Sequence, residues 1–190
     1  MSIMKTLRQR KSKPIIGIVL VAFGVALIVF RPQGTEYTAS ATYDPDSVVV
    51  GEGQSLFRND EAKIAFAFPE GLELWYPGFD KIDTRGIYQV DVDYDHGITS
   101  HVGPVVVQKV WKDRVRGLEK PDLENPTSAQ LCSTNGIEVE IFSEWIDQNV
   151  RSTVIESKDH MISVTLLLDT IKDGDEEVYE IVKNSLTCEI

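Results

Sequence analysis

An α+β domain of antiparallel β-sheet packed with helices, preceded by one N-terminal transmembrane helix, is the fold class that the sequence predicts. Three observations carry it. Apolar and polar residues alternate with a period of two in several segments between Ile64 and Asp169. The period then lengthens to helical spacing at Val178, Ile181, Val182 and Leu186. Before either pattern begins, residues 15–30 form an unbroken apolar run.

The run reads IIGIVLVAFGVALIVF, sixteen residues bracketed by Lys13 and Arg31. With Pro14 it reaches seventeen. At about 1.5 Å rise per residue it covers roughly 25 Å, slightly less than a hydrocarbon core of about 30 Å. Lys13 and Arg31 are placed to snorkel across the difference. A buried core helix would carry a polar stripe, and this segment is apolar on every side. A cleaved secretory signal is the stronger rival, but the small-x-small site Ala39-Ser40-Ala41 lies far past Phe30. No cysteine follows the run closely enough for a lipid anchor. An uncleaved anchor is therefore expected.

Charge sets its orientation. Lys5, Arg8, Arg10, Lys11 and Lys13 give residues 1–30 a charge of +5, whereas the remainder holds 14 basic and 30 acidic side chains, a balance of −16. The positive-inside rule keeps the N-terminus in the cytoplasm and puts the acidic domain on the extracytoplasmic side of a cell membrane. So acidic a domain repels polyphosphate, so nucleic acid is not an expected partner. The expected organisation is a cytoplasmic basic tail at 1–13, a bilayer anchor at 14–30, a flexible linker at 31–54 and the acidic domain at 55–190. An extracytoplasmic compartment permits disulfides, and Cys132 and Cys188 are the only cysteines. One bridge would tie the last helix to the sheet; two buried free thiols are the alternative.

Pro32, Gly34, Pro45, Gly51 and Gly53 among Ser, Thr and Asp give the linker its reading. Ile64, Phe66 and Phe68 alternate with small or polar residues, Pro69-Glu70-Gly71 makes a turn, and Leu72, Leu74 and Tyr76 start a second strand. Tyr88, Val90, Val92 and Tyr94 share one face of the next strand, while Gln89, Asp91, Asp93 and Asp95 share a face expected to meet water. Residues 105–111 form a further strand, and 112–125 a loop or short helix interrupted by Pro121. Asn135-Gly136 suggests a tight hairpin turn before Ile137, Val139 and Ile141. Strands follow near 150–157 and 161–169. The closing helix has Asp173 and Asp175 as N-cap candidates, Glu176 and Glu177 at its positive end and Lys183 toward its negative end.

The stretch LFRNDEAKIAFAFPEGLEL at residues 56–74 resembles the opening of PsbP-like domains of the Mog1/PsbP fold. The late strand, acidic turn and helix VYEIVKNSL resemble their close, so the resemblance covers roughly residues 55–190. Leu72 stands where a Trp usually follows Pro-x-Gly. The resemblance implies a central antiparallel sheet flanked by helices and mostly non-enzymatic roles in assembly or binding.

Candidate chemistry is sparse. Asp91, Asp93, Asp95 and Gly97 form D-x-D-x-D-x-G, and calcium is the hard cation such carboxylates would suit. The glycine is displaced by one residue from the EF-hand pattern, Val102 stands where a twelfth-position carboxylate belongs, and a solvated strand face explains the same acids. His96, His101 and His160 have no zinc-site spacing and read as loop or surface residues. The acidic segment at 172–177 is accounted for by a turn and helix cap. Trp75, Tyr76, Trp111 and Trp145 serve either packing or a ligand groove. No nucleophile elbow, phosphate loop, dinucleotide fingerprint or H-E-x-x-H helix occurs. The expectation is a non-catalytic protein without a cofactor that binds another envelope protein. A small-ligand or calcium module and an envelope-polymer hydrolase are the alternatives.

Overall fold

The computed structural model describes residues 40–75, 87–93, 103–112, 126–143 and 147–190. The expected anchor, Asp95, His96, His101, Tyr76, Trp145 and the segment 113–125 lie outside them. Among the described residues no helix is long and apolar enough to cross a membrane.

Among the described residues, ten strands form two antiparallel sheets and are joined by one α-helix. The smaller sheet has the order β1-β2-β10, with β1 at Gln54–Asn59, β2 at Ile64–Pro69 and β10 at Thr187–Cys188. The larger holds β3 (Glu73–Trp75), β4 (Ile87–Asp93), β5 (Val105–Trp111), β6 (Thr127–Leu131), β7 (Thr134–Ser143), β8 (Gln148–Glu156) and β9 (His160–Leu167) in the order β3-β4-β5-β9-β8-β7-β6. Helix α1 runs from Asp175–Ser185 and leads into β10. The chain therefore returns to the small sheet only at its last residues.

The β-branched strands β4, β5 and β9 sit at the middle of the large sheet, where both faces are shielded from solvent. Val90 lies opposite Val107, Val107 opposite Val164, and Val164 opposite Thr153. This row belongs to the face that meets Phe57, Ile64, Phe66 and Phe68 of the small sheet and Val178, Tyr179 and Val182 of α1 in one apolar cluster. Phe57 and Phe66 bring their rings to 4.8 Å. The small sheet and α1 thus form one layer over the large sheet, because each has a single apolar face to bury.

Several local expectations need correction. Composition carries no strand signal at β1, yet Leu56 and Phe57 lie in a six-residue strand paired along its length with β2. The part of the linker that is described, residues 40–53, is hydrogen-bonded to the domain. Ile190 donates its N–H to the Ala41 carbonyl at 3.3 Å, Asp44 donates its N–H to Thr187 Oγ1 at 3.1 Å, and the Tyr43 hydroxyl donates to Asp60 at 2.8 Å. The tight turn between β6 and β7 is not Asn135-Gly136 but Cys132-Ser133, whose φ values of 48° and 57° give the paired left-handed residues that a two-residue hairpin needs. Gly136 is one of the residues of β7 for a different reason: a Cβ there would meet the Val154 carbonyl oxygen at 2.3 Å. Neither Asp173 nor Asp175 caps α1. Gly174 takes the cap position at φ 98°, and Asp175, inside the first turn and buried, accepts the Lys172 N–H at 2.7 Å.

Cys132 and Cys188 are joined in a disulfide, with their Cα atoms 5.7 Å apart and a sequence separation of 56. It links the β6–β7 turn to β10 and so holds the two sheets together beyond the end of α1.

Candidate functional site

Helix α1 presents a second side away from its core face, and two clefts border it. The larger, of about 640 Å3, lies between α1, the segment 40–49 and the disulfide-bearing turn, with Val48, Val49, Ile181 and Leu186 as its apolar part. The smaller, of about 460 Å3, lies between the start of α1 and the turn Pro69-Glu70-Gly71. Gln54, Glu177 and Ile181 line both, which makes the two contiguous. Glu52, Glu70, Asp173, Glu177 and Glu180 also line them, and no Lys, Arg or His is among their described lining residues. Val49 is 83% exposed there. Apolar floor and one-signed rim suit a segment that brings both aliphatic contact and positive charge.

Beside the apolar packing of α1, a polar cluster ties the helix to β7 and β8. Glu138 of β7 accepts from Thr153 Oγ1 at 2.9 Å, from the Tyr179 hydroxyl at 3.1 Å and from Lys183 Nζ at 3.4 Å. Lys183 also lies over the Tyr179 ring, 4.8 Å from its centroid. Burial alone would raise the Glu138 carboxyl, but the Thr153 hydrogen bond, the charge of Lys183 and the Tyr179 hydrogen bond together bring it below its ordinary value. Burial, with Glu138 nearby, holds the Tyr179 phenol well above its own. A depressed carboxyl stabilises the fold above its unfolded pKa and loses that contribution as pH falls through the folded one. Glu138→Gln is therefore expected to cost about 1 to 2 kcal/mol at neutral pH, and the difference from wild type should shrink as pH falls below about 4. Urea unfolding at neutral and acid pH checks this, and an equal loss at both would point to packing rather than charge.

The candidate metal ligands are distributed differently from the sequence expectation. Asp91 and Asp93 do share one face of β4, but that face is not wet: Asp91 is fully buried and Gln89 is 8% exposed. Alternation separates two faces without saying which of them meets solvent, and here both are covered. No group of three His, Cys, Asp or Glu side chains that could hold a metal occurs among the described residues. Burial pushes the Asp91 carboxyl up to about 7, against the Gln89 hydrogen bond and the Gly103 N–H, which favour its charged form. It lines neither cleft.

The remaining candidates are scattered. His160 packs edge-on against Trp111, with ring centroids 5.4 Å apart. Trp75 is 39% exposed on the edge strand β3. Neither touches the clefts along α1. The Lys172 to Glu177 turn does contribute, since Asp173 and Glu177 sit on the cleft rim. Sequence reading missed the Glu138 cluster and the buried Lys109, because their partners lie tens of residues away; the charge and helical spacing around Glu177 and Ile181 were its only signal.

In comparisons with known proteins, no family model matched this chain and no curated protein did. The architecture and the clefts define it as a disulfide-bonded domain of two antiparallel sheets and one C-terminal helix, with an acid-rimmed groove along that helix.

Proposed function

We propose that this chain is a non-catalytic, membrane-tethered protein of PsbP/Mog1-like architecture, that its domain works on the extracytoplasmic side, and that it docks a positively charged segment of another envelope protein along α1. The observation that carries the docking reading is the contiguous groove whose ionic rim is acidic throughout its described lining. Complementary charge speeds encounter and rejects acidic competitors, while the aliphatic floor holds the partner once it is seated. The placement is supported by the Cys132–Cys188 bridge, which suits an oxidising compartment. Support also comes from the basic residues that precede the apolar run, which would span the bilayer at 14–30.

A photo-crosslinking side chain at Ile181, introduced into the full-length protein in native membranes, tests the reading. One discrete adduct is expected, and it should disappear in the Glu177→Lys, Glu180→Lys double variant. Absence of any adduct, or an adduct indifferent to charge reversal, would dispose of the docking site. Protease added to sealed vesicles of each orientation tests the placement separately, since only vesicles that expose the extracytoplasmic surface should lose the domain.

A further inference from the structure

The larger cleft along α1 begins where the described chain begins. Ser40 is the first described residue, and it is already attached: its carbonyl accepts from the Thr134 hydroxyl at 3.3 Å, beside the disulfide-bearing turn. The next bonds follow at once, from the Ile190 N–H to the Ala41 carbonyl and from the Asp44 N–H to Thr187. Ser40, Ala41 and Thr42 are themselves part of the cleft wall. The groove therefore sits at the end of the domain from which the chain runs back toward its apolar segment.

That attachment limits how far the groove can stand from a membrane. The apolar run ends at Phe30, so only the nine residues 31–39 connect it to Ser40. A chain covers at most about 3.3 to 3.6 Å per residue, which gives about 30 Å for nine. A random coil of that length separates its ends by only about 15 to 18 Å. The headgroup layer takes up about 5 to 7 Å of either distance. Had the tether run to Gln54, as composition suggests, the limit would be about 80 Å, and the groove could meet partners well away from any bilayer. The hydrogen bonds at residues 40–44 remove that freedom. Lipid itself is a poor occupant, because Glu52, Glu70, Asp173, Glu177 and Glu180 on the rim repel anionic headgroups.

We infer that the groove docks the extracytoplasmic juxtamembrane segment of an integral membrane protein, a basic stretch that leaves the same bilayer beside a transmembrane span. This rests on the docking and placement readings above and adds to them where the partner's segment lies. Two observations select it. The first is reach: a groove wall held within about 30 Å of the end of the anchor meets chains that emerge from the same membrane before it meets anything in the bulk. Confinement of both proteins to one shallow layer raises their effective concentration, an advantage that a soluble partner would not share. The second is chemistry. Val48, Val49, Ile181 and Leu186 under an acidic rim complement aliphatic residues mixed with Lys or Arg, and Lys and Arg are the side chains that anchor the ends of spans.

Spacers inserted between Gly34 and Thr35 of the full-length protein, outside every described element, test the inference in native membranes with the photo-crosslinker at Ile181. A helical spacer of eight Glu-Ala-Ala-Ala-Lys repeats lifts the domain by about 60 Å, whereas a Gly/Ser spacer of the same length lets it fold back. The helical spacer should lower the adduct yield about ten-fold or more, and the flexible one only a few-fold. In the protein without a spacer, the crosslinked partner peptide should lie within about ten residues of a transmembrane span, inside the reach of the tether. A yield unchanged by the helical spacer would overturn the inference, as would equal losses with both spacers. An adduct to a soluble protein, to lipid or to a peptide far from any span would do the same. In the first of these cases, and for a soluble partner, an adduct that still disappears in the Glu177→Lys, Glu180→Lys double variant leaves the docking reading standing without the juxtamembrane assignment. No adduct in any of the proteins removes the docking reading and this inference together.

Discussion

Replacing Cys132 and Cys188 together by alanine is expected to destabilise the domain by about 4 kcal/mol, lowering its Tm by roughly 10 °C. The bridge spans 56 residues, nearly all of the sequence from the β6–β7 turn to the C-terminus. Closing a loop of that length removes about 4 kcal/mol of conformational freedom from the unfolded chain in the chain-entropy account. Native contacts add to the effect. β10 consists of only two paired residues, Thr187 opposite Ala65 and Cys188 opposite Ile64, so the covalent link carries much of the burden of keeping that strand on the small sheet. The turn it holds also forms a wall of the larger cleft, since Cys132 and Ser133 line it. Loss of the bridge should therefore weaken crosslinking at Ile181 as well as stability. Thermal unfolding with and without reductant checks the prediction: wild type should fall to the level of the double variant, and the variant should not respond. A wild-type Tm indifferent to reductant would mean that the bridge contributes nothing to the fold, and the extracytoplasmic reading would lose its main structural support.

How much of this was legible in the sequence depended on whether the deciding contact was local. Residues 105–111 and 87–93 announced themselves as strands because β-branched alternation is a property of neighbouring positions, and β5 matches the expected bounds at both ends. β1 did not, because QSLFRN has only two large apolar residues and takes its order from six paired positions on β2. The Asn135-Gly136 pair misled for a related reason: its glycine answers a steric demand from Val154, a strand away, that no local pattern records. Asp91 shows the limit most clearly. Its period-2 position was right, but its burial follows from both faces of the sheet being covered, and its partner Gln89 belongs to a row completed by β5 and β9. The groove was legible only as charge and helical spacing. Its other wall, residues 40–49, looked like linker because its anchoring bonds are made to β10 and the C-terminus, more than a hundred residues away.

Stability should rise with pH between about 8 and 10 in the wild-type domain, and this rise should be absent from Lys109→Met. Lys109 of β5 is 2% exposed and points toward the junction of the two sheets. Its Nζ donates to the Ala62 carbonyl at 3.0 Å and to the Glu189 carbonyl at 2.6 Å, and lies 5.3 Å from the centre of the Trp111 ring. These contacts join the large sheet to the β1–β2 turn and to the residues after β10. Burial lowers its pKa from 10.5 to about 8, outweighing the attraction of Glu189. Between those values the unfolded chain holds a proton that the folded chain has released. Unfolding then takes up protons, so raising the pH disfavours it. A depression of this size corresponds to about 3 kcal/mol over the full window. Above about pH 10 the trend should reverse, because burial and the Asp60 hydrogen bond raise Tyr43 to about 12 and burial raises Tyr179 further, so the folded chain keeps phenolic protons that the unfolded chain loses. The variant exchanges one cost for another at neutral pH: it removes a buried charge but leaves the Ala62 and Glu189 carbonyls without their donor, at about 1 to 3 kcal/mol for each one that water does not reach. Denaturant unfolding of both proteins across the pH range separates the two, since only the charge term depends on pH. Parallel pH profiles would show that Lys109 keeps its proton in the folded state, and that the junction between the sheets is open to water rather than sealed by this side chain.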